Sequence, residues 1–307
     1  MTATDSLDTG ESHGDVLVDR RAEERADPGL LDDLRRATGT RVLVVRGDAV
    51  PLDAAARLAF VDAAAVPDDA EWAFLGRDSD RSAILLAAFV GSAEVTLPPA
   101  SYKTWGALRT IAADLPAGEA QVLLTAVALG RWLTDAAYCP FCGARTVEEN
   151  AGWSRHCPSC GRQHFPRTDP AVIVAVTHPD DADLLLLGSN ALWDDDRYSC
   201  FAGFAEAGES LEEAVQREVG EESGVAVRDV QYRGSQGWPY PRSLMVGFRA
   251  TAAVADAARA DGEEIVAVRW FTRAEIGEGL AGTGDVKLPG PASIAHRLIR
   301  EWHAETP

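Results

Sequence analysis

The chain has little positive charge and almost no lysine. Its 307 residues include 29 Lys and Arg against 48 Asp and Glu, a net charge of −19, and only Lys103 and Lys287 are lysines. Such a chain repels polyanions on average, which argues against non-specific binding to nucleic acids or membrane surfaces. A small anionic substrate remains compatible with this charge, because metal ions or well-placed arginines can reverse the sign inside one cleft.

Long apolar runs and targeting signals are also missing. The longest apolar stretches, such as residues 83–90, are too short to cross a bilayer. Residues 1–15 are acidic and lack the basic and apolar regions of a signal peptide. The sequence therefore predicts a cytoplasmic protein without membrane contact. A composition of 46% hydrophobic and 25% charged residues is globular, and the length favours about two domains.

The first half of the chain predicts an N-terminal α+β domain over residues 29–137. Residues 1–28 are polar and acid-rich, and we expect a disordered acidic tail there. Apolar runs separated by turn residues predict strands, and helical spacing of apolar residues predicts a long helix. The predicted strands are 41–45, 49–52, 72–76 and 82–90, and the predicted helix is 118–137.

The second half predicts a mixed sheet packed between helices. The order of its elements fits an α/β/α sandwich, and no internal repeat is present. The predicted strands are 171–176, 184–187, 230–234, 244–250 and 264–271, with helices at 210–223 and 291–303. An aromatic, proline-rich loop is expected between the strands 230–234 and 244–250.

Four of the five cysteines form two C-x-x-C pairs separated by fourteen residues. Tetrahedral zinc needs four soft ligands from two tight turns, and the glycine after each pair permits such a turn. Core thiols and a redox pair are the alternatives, but the pairs are matched and no thioredoxin-like context surrounds them. We expect one structural Zn²⁺ per chain, with His156 and His164 near it but not ligating. The predicted ligands are Cys139, Cys142, Cys157 and Cys160.

Residues 210–223 predict a helix with a carboxylate-rich face. Ser210 and Glu213 form a capping box that begins the helix. Helical spacing brings three glutamates together, and like charges at that spacing are destabilising unless a cation lies on them. Hard divalent cations take such oxygen ligands, whereas the alternative is an ordinary solvated acidic face. The three glutamates are Glu218, Glu221 and Glu222.

The string 203–225 resembles the Nudix box, G-x5-E-x7-R-E-U-x-E-E-x-G-U, in which U is aliphatic. Every fixed position of the pattern is matched. The resemblance implies a Nudix fold and hydrolysis of a nucleoside diphosphate linked to another group. The matching residues are Gly203, Glu209, Arg217, Glu218, Val219, Glu221, Glu222, Gly224 and Val225.

The Nudix resemblance also implies two or three catalytic Mg²⁺ or Mn²⁺ ions. In the family these ions lie on the carboxylates of the box, which implies that Glu218 and Glu222 are ligands. Glu221 is then either a third ligand or the general base. Arg217 is expected to orient a glutamate through a bidentate pair, and Glu209 to position its neighbours.

Two further stretches resemble the zinc-ribbon NADH pyrophosphatases, which are also NAD-capped RNA hydrolases. Residues 235–243 read S-Q-G-W-P-Y-P-R-S where that branch has S-Q-P-W-P-F-P-x-S, so Gly237 replaces a proline and Tyr240 a phenylalanine. Residues 165–173 resemble the entry to the first Nudix strand. The alternative for residues 235–243 is that their Trp and Tyr side chains only fill the hydrophobic core. The resemblance implies substrate binding by Gln236, Gly237, Trp238, Pro239, Tyr240, Pro241, Arg242 and Ser243.

The resemblance, which extends over about residues 101–303, carries five more roles. It implies that Phe165 stacks on the substrate, that the Ala202 carbonyl binds metal and that Glu264 is a distal metal ligand. A strand-end surface acid is the alternative for Glu264. Ala295 matches a backbone contact to the substrate, and Arg109 aligns with a substrate-binding arginine across a one-residue offset.

Together these features predict a zinc-containing NAD(H) diphosphatase with a ribbon at 138–164 and a Nudix domain at 165–307. It would split NAD(H) into AMP and nicotinamide mononucleotide, with NAD-capped RNA as a second substrate. The resemblance also implies a homodimer. The rival hypotheses are a hydrolase of other dinucleotides, such as ADP-ribose or diadenosine polyphosphates, and a non-catalytic zinc-ribbon protein that binds nucleotides.

Overall fold

The computed structural model describes residues 18–91, 93–194, 196–254 and 258–305. The chain divides into two compact units, of which the first ends at Arg167 and the second begins at Thr168. Within the described ranges, no helix combines the length and the apolar content needed to span a membrane.

The first unit is built on a five-stranded sheet with the order β3-β4-β1-β2-β5, in which the central strands β1 and β4 are parallel. Every residue of β4 is buried, so both faces of this strand are covered. The strands are β1 (Arg41–Arg46), β2 (Ala49–Leu52), β3 (Glu71–Arg77), β4 (Ala83–Phe89) and β5 (Thr104–Ala107), and the helices are α1 (Leu30–Arg36), α2 (Leu108–Ile111) and α3 (Ala117–Asp135).

A small three-stranded sheet with the order β6-β7-β8 completes the first unit. Trp153 donates its indole N–H to the Phe74 carbonyl at 2.7 Å. The buried Arg155 donates to the Leu133 carbonyl at 3.1 Å. These bonds join the cysteine-bearing segment to the larger sheet and to α3. The strands are β6 (Val147–Glu149), β7 (Ser154–His156) and β8 (Gln163–His164).

Of the predicted acidic tail, residues 1–28, the part up to residue 17 lies outside the described residues. From there on the segment has partners in β3. Ala22–Ala26 form a 3-10 helix, and Arg77 donates to the Glu24 carboxylate at 2.7 Å. That guanidinium lowers the pKa of Glu24 to about 2. Composition did not reveal this pairing, because the segment has no apolar periodicity and is held by charge.

The second unit has a six-stranded mixed sheet with the order β12-β13-β9-β10-β14, and β11 pairs with β9. The neighbours β13 and β9 are parallel and the other pairs are antiparallel. This agrees with the mixed sheet predicted from the sequence. The strands are β9 (Asp169–Thr177), β10 (Leu184–Asn190), β11 (Phe201–Phe204), β12 (Val227–Trp238), β13 (Ser243–Ala252) and β14 (Ile265–Thr272), and the helices are α4 (Leu211–Ser223), α5 (Arg273–Ala281) and α6 (Ile294–Ala304).

Helices cover both faces of this sheet. Val172, Val174 and Val176 of β9 share one buried cluster with apolar residues of α4. Ile173 and Ala175 point the other way and share a cluster with apolar residues of α5 and α6. Because alternate residues of a strand face opposite sides, the continuous apolar run of β9 is explained by burial on both faces.

The predicted loop between residues 235 and 243 is wrong in its extent. β12 continues to Trp238 and β13 begins at Ser243, so only residues 239–242 turn. Gly237 pairs with Leu244 and Trp238 with Ser243 across the hairpin. Prolines and aromatics in the sequence favoured a loop, but backbone pairing with β13 extends the strand through them.

Candidate active site and zinc site

Helix α4 begins and ends as the sequence predicts. The Glu213 amide donates to the Ser210 hydroxyl at 3.2 Å, and the Ser210 amide donates to the Glu213 carboxylate at 2.7 Å. Gly224 ends the helix with a φ of 69°. This local closure sets the rotation of the helix and therefore the direction of its glutamates.

Arg217 connects the carboxylates of the glutamate cluster. Its guanidinium donates to both oxygens of Glu209, at 3.1 and 2.6 Å, and to Glu218 at 2.8 Å. It also reaches Glu221 at 3.2 Å and the Phe204 carbonyl at 2.9 Å. The bidentate pair predicted from the sequence is present, with Glu209 as its partner. A fork of this kind fixes side-chain geometry as well as charge.

Glu218 and Glu221 have different surroundings. The Glu218 side chain is 13% exposed, whereas that of Glu221 is 63% exposed. Burial raises the pKa of Glu218, and the neighbouring Arg217 opposes this shift. The glutamates of the box are therefore not equivalent, although their spacing is helical.

Glu222 is the most deeply buried member of the cluster, with 5% of the residue exposed. Its Oε2 has no hydrogen-bond partner among the described residues. The backbone of Ala202, which lies against the carboxyl group, acts to lower its pKa. Burial, followed by the charges of Glu264 and Glu218, raises the pKa of Glu222 to about 8. A buried carboxylate oxygen without a donor fits a site for a hard divalent cation.

Glu264 approaches the cluster from the end of the sheet. The Glu264 amide donates a hydrogen bond to the Asp261 carboxylate at 3.0 Å. The Glu264 carbonyl accepts a hydrogen bond from the Ala191 amide at 2.9 Å. The Asn190 amide donates to its carboxylate at 3.4 Å. Among the described residues, no three carboxylates have oxygens within 4.8 Å of one another.

A cleft of about 290 Å³ in the second unit brings distant parts of the chain together. Its walls come from β10, β11, α4, the β12–β13 hairpin and the start of α6. The cleft contains six residues that the sequence predicted for metal or substrate binding: Ala202, Glu222, Gln236, Trp238, Glu264 and Ala295. It also contains residues that sequence reasoning missed, among them Asn190, Trp193, Arg197 and Cys200. No fixed pattern singled out these four residues.

Gln236 holds the hairpin against α6. Its side-chain amide donates to the Ala292 carbonyl at 2.8 Å, and its oxygen accepts from the Ile294 amide at 2.8 Å. These two bonds position the start of the helix that carries Ala295. The ring of Trp238 lies 5.2 Å from that of Tyr240 and lines the cleft.

The other hairpin residues predicted for the site do not line the cleft. Gly237 lies within β12, Pro239 is buried, and Tyr240 and Pro241 form the turn. The carboxylate of Asp169, at the start of β9, forms an ion pair with the Arg242 guanidinium, with 2.8 Å between Oδ2 and Nε. The next residue, Ser243, is buried and pairs with Asp169 in register.

Two predicted substrate-binding residues belong to the first unit. Phe165 follows β8 with 46% of its surface exposed. Arg109 lies exposed on α2. Neither residue is among those that line the cleft of the second unit.

The four predicted zinc ligands converge. Their sulfur atoms all lie within 4.8 Å of one another, with 3.7 Å between Cys139 and Cys160 and 3.5 Å between Cys142 and Cys157. Zinc–sulfur bonds of about 2.3 Å in a tetrahedron place sulfur atoms about 3.8 Å apart, so the group fits zinc. His156 instead lies 3.5 Å from Glu149.

The two cysteine turns have the same backbone geometry. Gly143 donates to the Cys139 carbonyl and Gly161 to the Cys157 carbonyl, both at 2.9 Å. The φ angles of these glycines are 75° and 72°. That region favours glycine, which explains why one follows each pair. The Cys160 amide, with the neighbouring thiols, lowers the pKa of Cys157 to about 7, and thiolates are the form that binds zinc.

Comparison with known proteins identifies both elements. Residues 167–288 match the NUDIX domain, and residues 135–165 match the NADH pyrophosphatase zinc ribbon domain. These matches confirm the resemblance that the sequence predicted. Helix α4 and Glu264 lie within the first matched segment, and the four cysteines lie within the second.

The sequence is also similar to proteins that are named for an activity. The NAD-capped RNA hydrolase NudC of Mycobacterium tuberculosis is 44% identical over 194 residues, which is 61% of this chain and 61% of that protein. An NAD-capped RNA hydrolase of Homo sapiens is 41% identical over 194 residues, 60% of this chain and 42% of that protein. The match thus spans about three fifths of the first relative's length. A NUDIX hydrolase structure from Nitrosomonas europaea is 22% identical, with 55% of this chain and 94% of that chain covered and a TM-score of 0.39.

Proposed function

We propose that this chain, which carries a Nudix domain behind an NADH pyrophosphatase zinc ribbon, hydrolyses the pyrophosphate bond of NAD(H). The products are AMP and nicotinamide mononucleotide. The observation that carries the proposal is the cleft in which the buried, unpartnered Glu222 oxygen lies with Glu264 and Trp238. The relatives named as NAD-capped RNA hydrolases support the substrate class.

The carboxylates of the cleft would hold the divalent cations. The ligands would be Glu218, Glu222, Glu264 and the carbonyl of Ala202, with two or three Mg²⁺ or Mn²⁺ ions. When bound, such ions neutralise pyrophosphate charge and lower the pKa of a bound water. The buried position of Glu222 and its raised pKa in the absence of a cation support this assignment, because a cation offsets the repulsion by Glu264 and Glu218.

The remaining residues of the box position the ligands and move a proton. Arg217 holds Glu209 and Glu218 in place through its hydrogen bonds. Glu221 is more exposed than Glu218, and on the family resemblance it would be either a third ligand or the general base. In the reaction, the water oxygen bonds to one phosphorus, the bridging P–O bond breaks, and the water proton passes to a carboxylate.

The hairpin and the start of α6 would bind the dinucleotide. Trp238 lines the cleft, and Gln236 positions the start of the helix that carries Ala295. Phe165, Arg109 and the other residues of 236–243 remain proposed substrate contacts on the family resemblance. NAD-capped RNA is proposed as a second substrate, with release of RNA that carries a 5′-monophosphate.

The proposed zinc is structural. All four positions of a tetrahedral ion would be taken by Cys139, Cys142, Cys157 and Cys160, which leaves none for substrate. We propose further, on the family resemblance, that the protein is a homodimer in the cytoplasm. Light scattering on the purified protein tests the dimer, and fractionation of cells tests the location.

A steady-state comparison of four substrates tests the proposed activity. NADH, NAD⁺, ADP-ribose and NAD-capped RNA are assayed with Mg²⁺ and with Mn²⁺, and the products are separated by chromatography. NADH or NAD⁺ should give the highest kcat/KM among the free dinucleotides. A preference for ADP-ribose, or for diadenosine polyphosphates in an added arm, would favour a different dinucleotide hydrolase. Absence of metal-dependent turnover on every substrate would favour a non-catalytic binding protein.

A further inference from the structure

The loop between β10 and β11 adds two side chains to the cleft that have no role in the proposal above. Trp193 and Arg197 both line the cleft, together with Glu222 and Glu264. The Arg197 guanidinium lies over the Trp193 ring, 5.0 Å from its centroid. A guanidinium over an indole face is a cation–π pair, which stabilises this arrangement of the two side chains.

Among the described residues that line the cleft, Arg197 alone has a positively charged side chain. No carboxylate of the described residues lies within 4.0 Å of its guanidinium, although Arg217, Arg242 and Arg273 of the same unit all have such partners. The chain as a whole carries a net charge of −19. A phosphate that enters this cleft therefore meets Arg197 as its protein cation, with hydrogen-bond donors that match phosphate oxygens.

The loop is held at both ends by bonds outside the cation–π pair. On one side, the Trp193 amide donates to the Asn190 carbonyl at 2.9 Å, and the Asn190 side chain contacts Glu264. On the other side, Tyr198 donates to the Lys287 carbonyl at 3.0 Å, and the Lys287 ammonium pairs with Asp196 at 2.8 Å. These contacts hold the loop before any ligand binds, so less conformational entropy is lost on binding.

The cleft also has a second indole. Trp238 comes from the β12–β13 hairpin and Trp193 from the β10–β11 loop, and both line the same cavity. A dinucleotide has two flat bases joined through phosphates. Two indoles from different elements can each offer a stacking surface to one base, and Arg197 lies on the Trp193 side of the pair.

We propose that Trp193 and Arg197 form a recognition element for a heteroaromatic nucleoside 5′-phosphate. The base stacks on the Trp193 ring, and the Arg197 guanidinium donates to the oxygens of the attached phosphate. This inference rests on the proposed function, because it assigns one half of the dinucleotide to a particular wall of the cleft. In this arrangement Trp193 and Arg197 determine the affinity for the nucleotide and take no part in proton transfer.

Kinetics of substituted proteins with NADH test the element. Arg197→Gln and Trp193→Ala should each raise KM about tenfold with little change in kcat, from the loss of a charged hydrogen bond or of one stacked base. Arg197→Lys and Trp193→Phe should restore part of the affinity. Leu192→Ala, in the same loop at 92% exposure, and Arg228→Gln, which removes a cation outside the cleft, are the controls and should leave KM unchanged.

Binding without divalent cations separates this inference from the proposed activity. Calorimetric titrations of wild type and variants use AMP, nicotinamide mononucleotide and ribose 5-phosphate. Trp193→Ala should weaken one of the two nucleotides about tenfold and leave ribose 5-phosphate unchanged, which also identifies the half that is bound. Arg197→Gln should weaken that nucleotide and ribose 5-phosphate.

The two ideas can fail independently. If the wild type hydrolyses NADH but neither variant changes KM or nucleotide binding, the recognition element is wrong and the proposed function stands. If the wild type has no turnover with NADH yet AMP or nicotinamide mononucleotide binds in a Trp193-dependent way, the proposed reaction is wrong and the recognition element stands. Equal loss of affinity in the Leu192→Ala control would also overturn the element, because the effect would then belong to the loop in general.

Discussion

The Cα atom of Gly203 lies directly against the carboxylate of Glu218. A Cβ atom built on Gly203 would be 2.0 Å from the Glu218 Cδ and 2.1 and 2.2 Å from its two oxygens. No side chain fits in that space without moving the carboxylate. The first glycine of the Nudix string thus leaves room for the Glu218 side chain. Glycine is required at this position for its small size and not for its backbone conformation.

Gly203→Ala should therefore displace Glu218 and lower kcat for NADH by about 100-fold, the effect of a shift of about 1 Å in a catalytic group. The thermal unfolding temperature should fall only slightly, because the new methyl group displaces a side chain that is partly exposed. Gly220→Ala is the matched control: it lies in α4 with open space around its Cα. That variant should gain about 1 kcal/mol of stability and keep its kcat. Equal kcat values for both variants would contradict the steric role of Gly203.

Glu218→Gln and Glu222→Gln keep the size of each side chain and remove its negative charge. Each should lower kcat for NADH by more than about 100-fold at saturating Mg²⁺. Loss of a residue that only supports a metal ligand lowers activity by about 10–100-fold, and loss of the ligand itself should cost more. Glu212→Gln, an exposed position in the first turn of the same helix, should be nearly silent. Wild-type turnover in Glu218→Gln would show that this helix is not the catalytic element.

Glu222→Gln should also stabilise the protein when no divalent cation is present. The carboxyl pKa of about 8 means that charging this group in the fold is unfavourable. The amide removes that cost, so the free energy of unfolding at pH 8 should rise by about 4 kcal/mol. Urea unfolding in Mg²⁺-free buffer measures the change. A lower stability for the variant would mean that the fold stabilises the charged carboxylate of Glu222.

Removal of the zinc ligands should cost both metal and stability. Cys139→Ser and Cys157→Ser should lower bound zinc well below one ion per chain, and the free energy of unfolding should fall by about 4 kcal/mol, the range expected for loss of a structural metal. Cys200→Ala is the control for zinc content, because Cys200 is buried in the second unit and is not a member of the four-cysteine group. Metal analysis by mass spectrometry decides the outcome, and a wild type without zinc would refute the site.

Glu148 should make the first unit less stable as the pH rises. Burial, together with a hydrogen bond to Glu71 and the negative charge of that residue, raises the pKa of Glu148 to about 8 from an ordinary value of 4.5. The folded state therefore keeps a proton that the unfolded state loses. The stability that this proton contributes is fully present below pH 4.5 and is lost as the pH rises through 8.

Glu148→Gln keeps a neutral, hydrogen-bonding group at this position. Between pH 5 and pH 8 its free energy of unfolding should decline less than that of the wild type, by about 3–4 kcal/mol at pH 8. Glu94→Gln, an exposed position in the same unit, should follow the wild type. Urea midpoints at three pH values supply the comparison. Parallel curves for wild type and Glu148→Gln would mean that Glu148 is charged in the folded state.

The helix α4 and the cysteine turns could be predicted because their signals are local. The capping box of Ser210 and Glu213 and the stop at Gly224 lie within a few residues of the helix that they delimit. Each cysteine turn likewise depends on a glycine next to its own pair. For such elements the interactions that decide the structure are between residues close in sequence, so a pattern suffices.

The hairpin at 235–243 shows where local signals mislead. Its prolines and aromatic residues favoured an open loop, yet pairing with β13 carries β12 through Gln236 to Trp238. Strand length there is decided by hydrogen bonds to a partner strand. The sequence pattern of one strand does not show which strand it will pair with.

The sequence by itself determined the chemistry that the chain carries: four thiol ligands, a string of glutamates and the family pattern that joins them. Only the tertiary structure decided that Glu222 is buried while Glu221 is exposed, and that Glu264 lies in the same cleft. It also brought Trp193 and Arg197 to that cleft, although no pattern marked them. The physical reason is that burial and charge proximity depend on how β10, β11, α4 and α6 pack together, and those contacts join residues far apart in the chain.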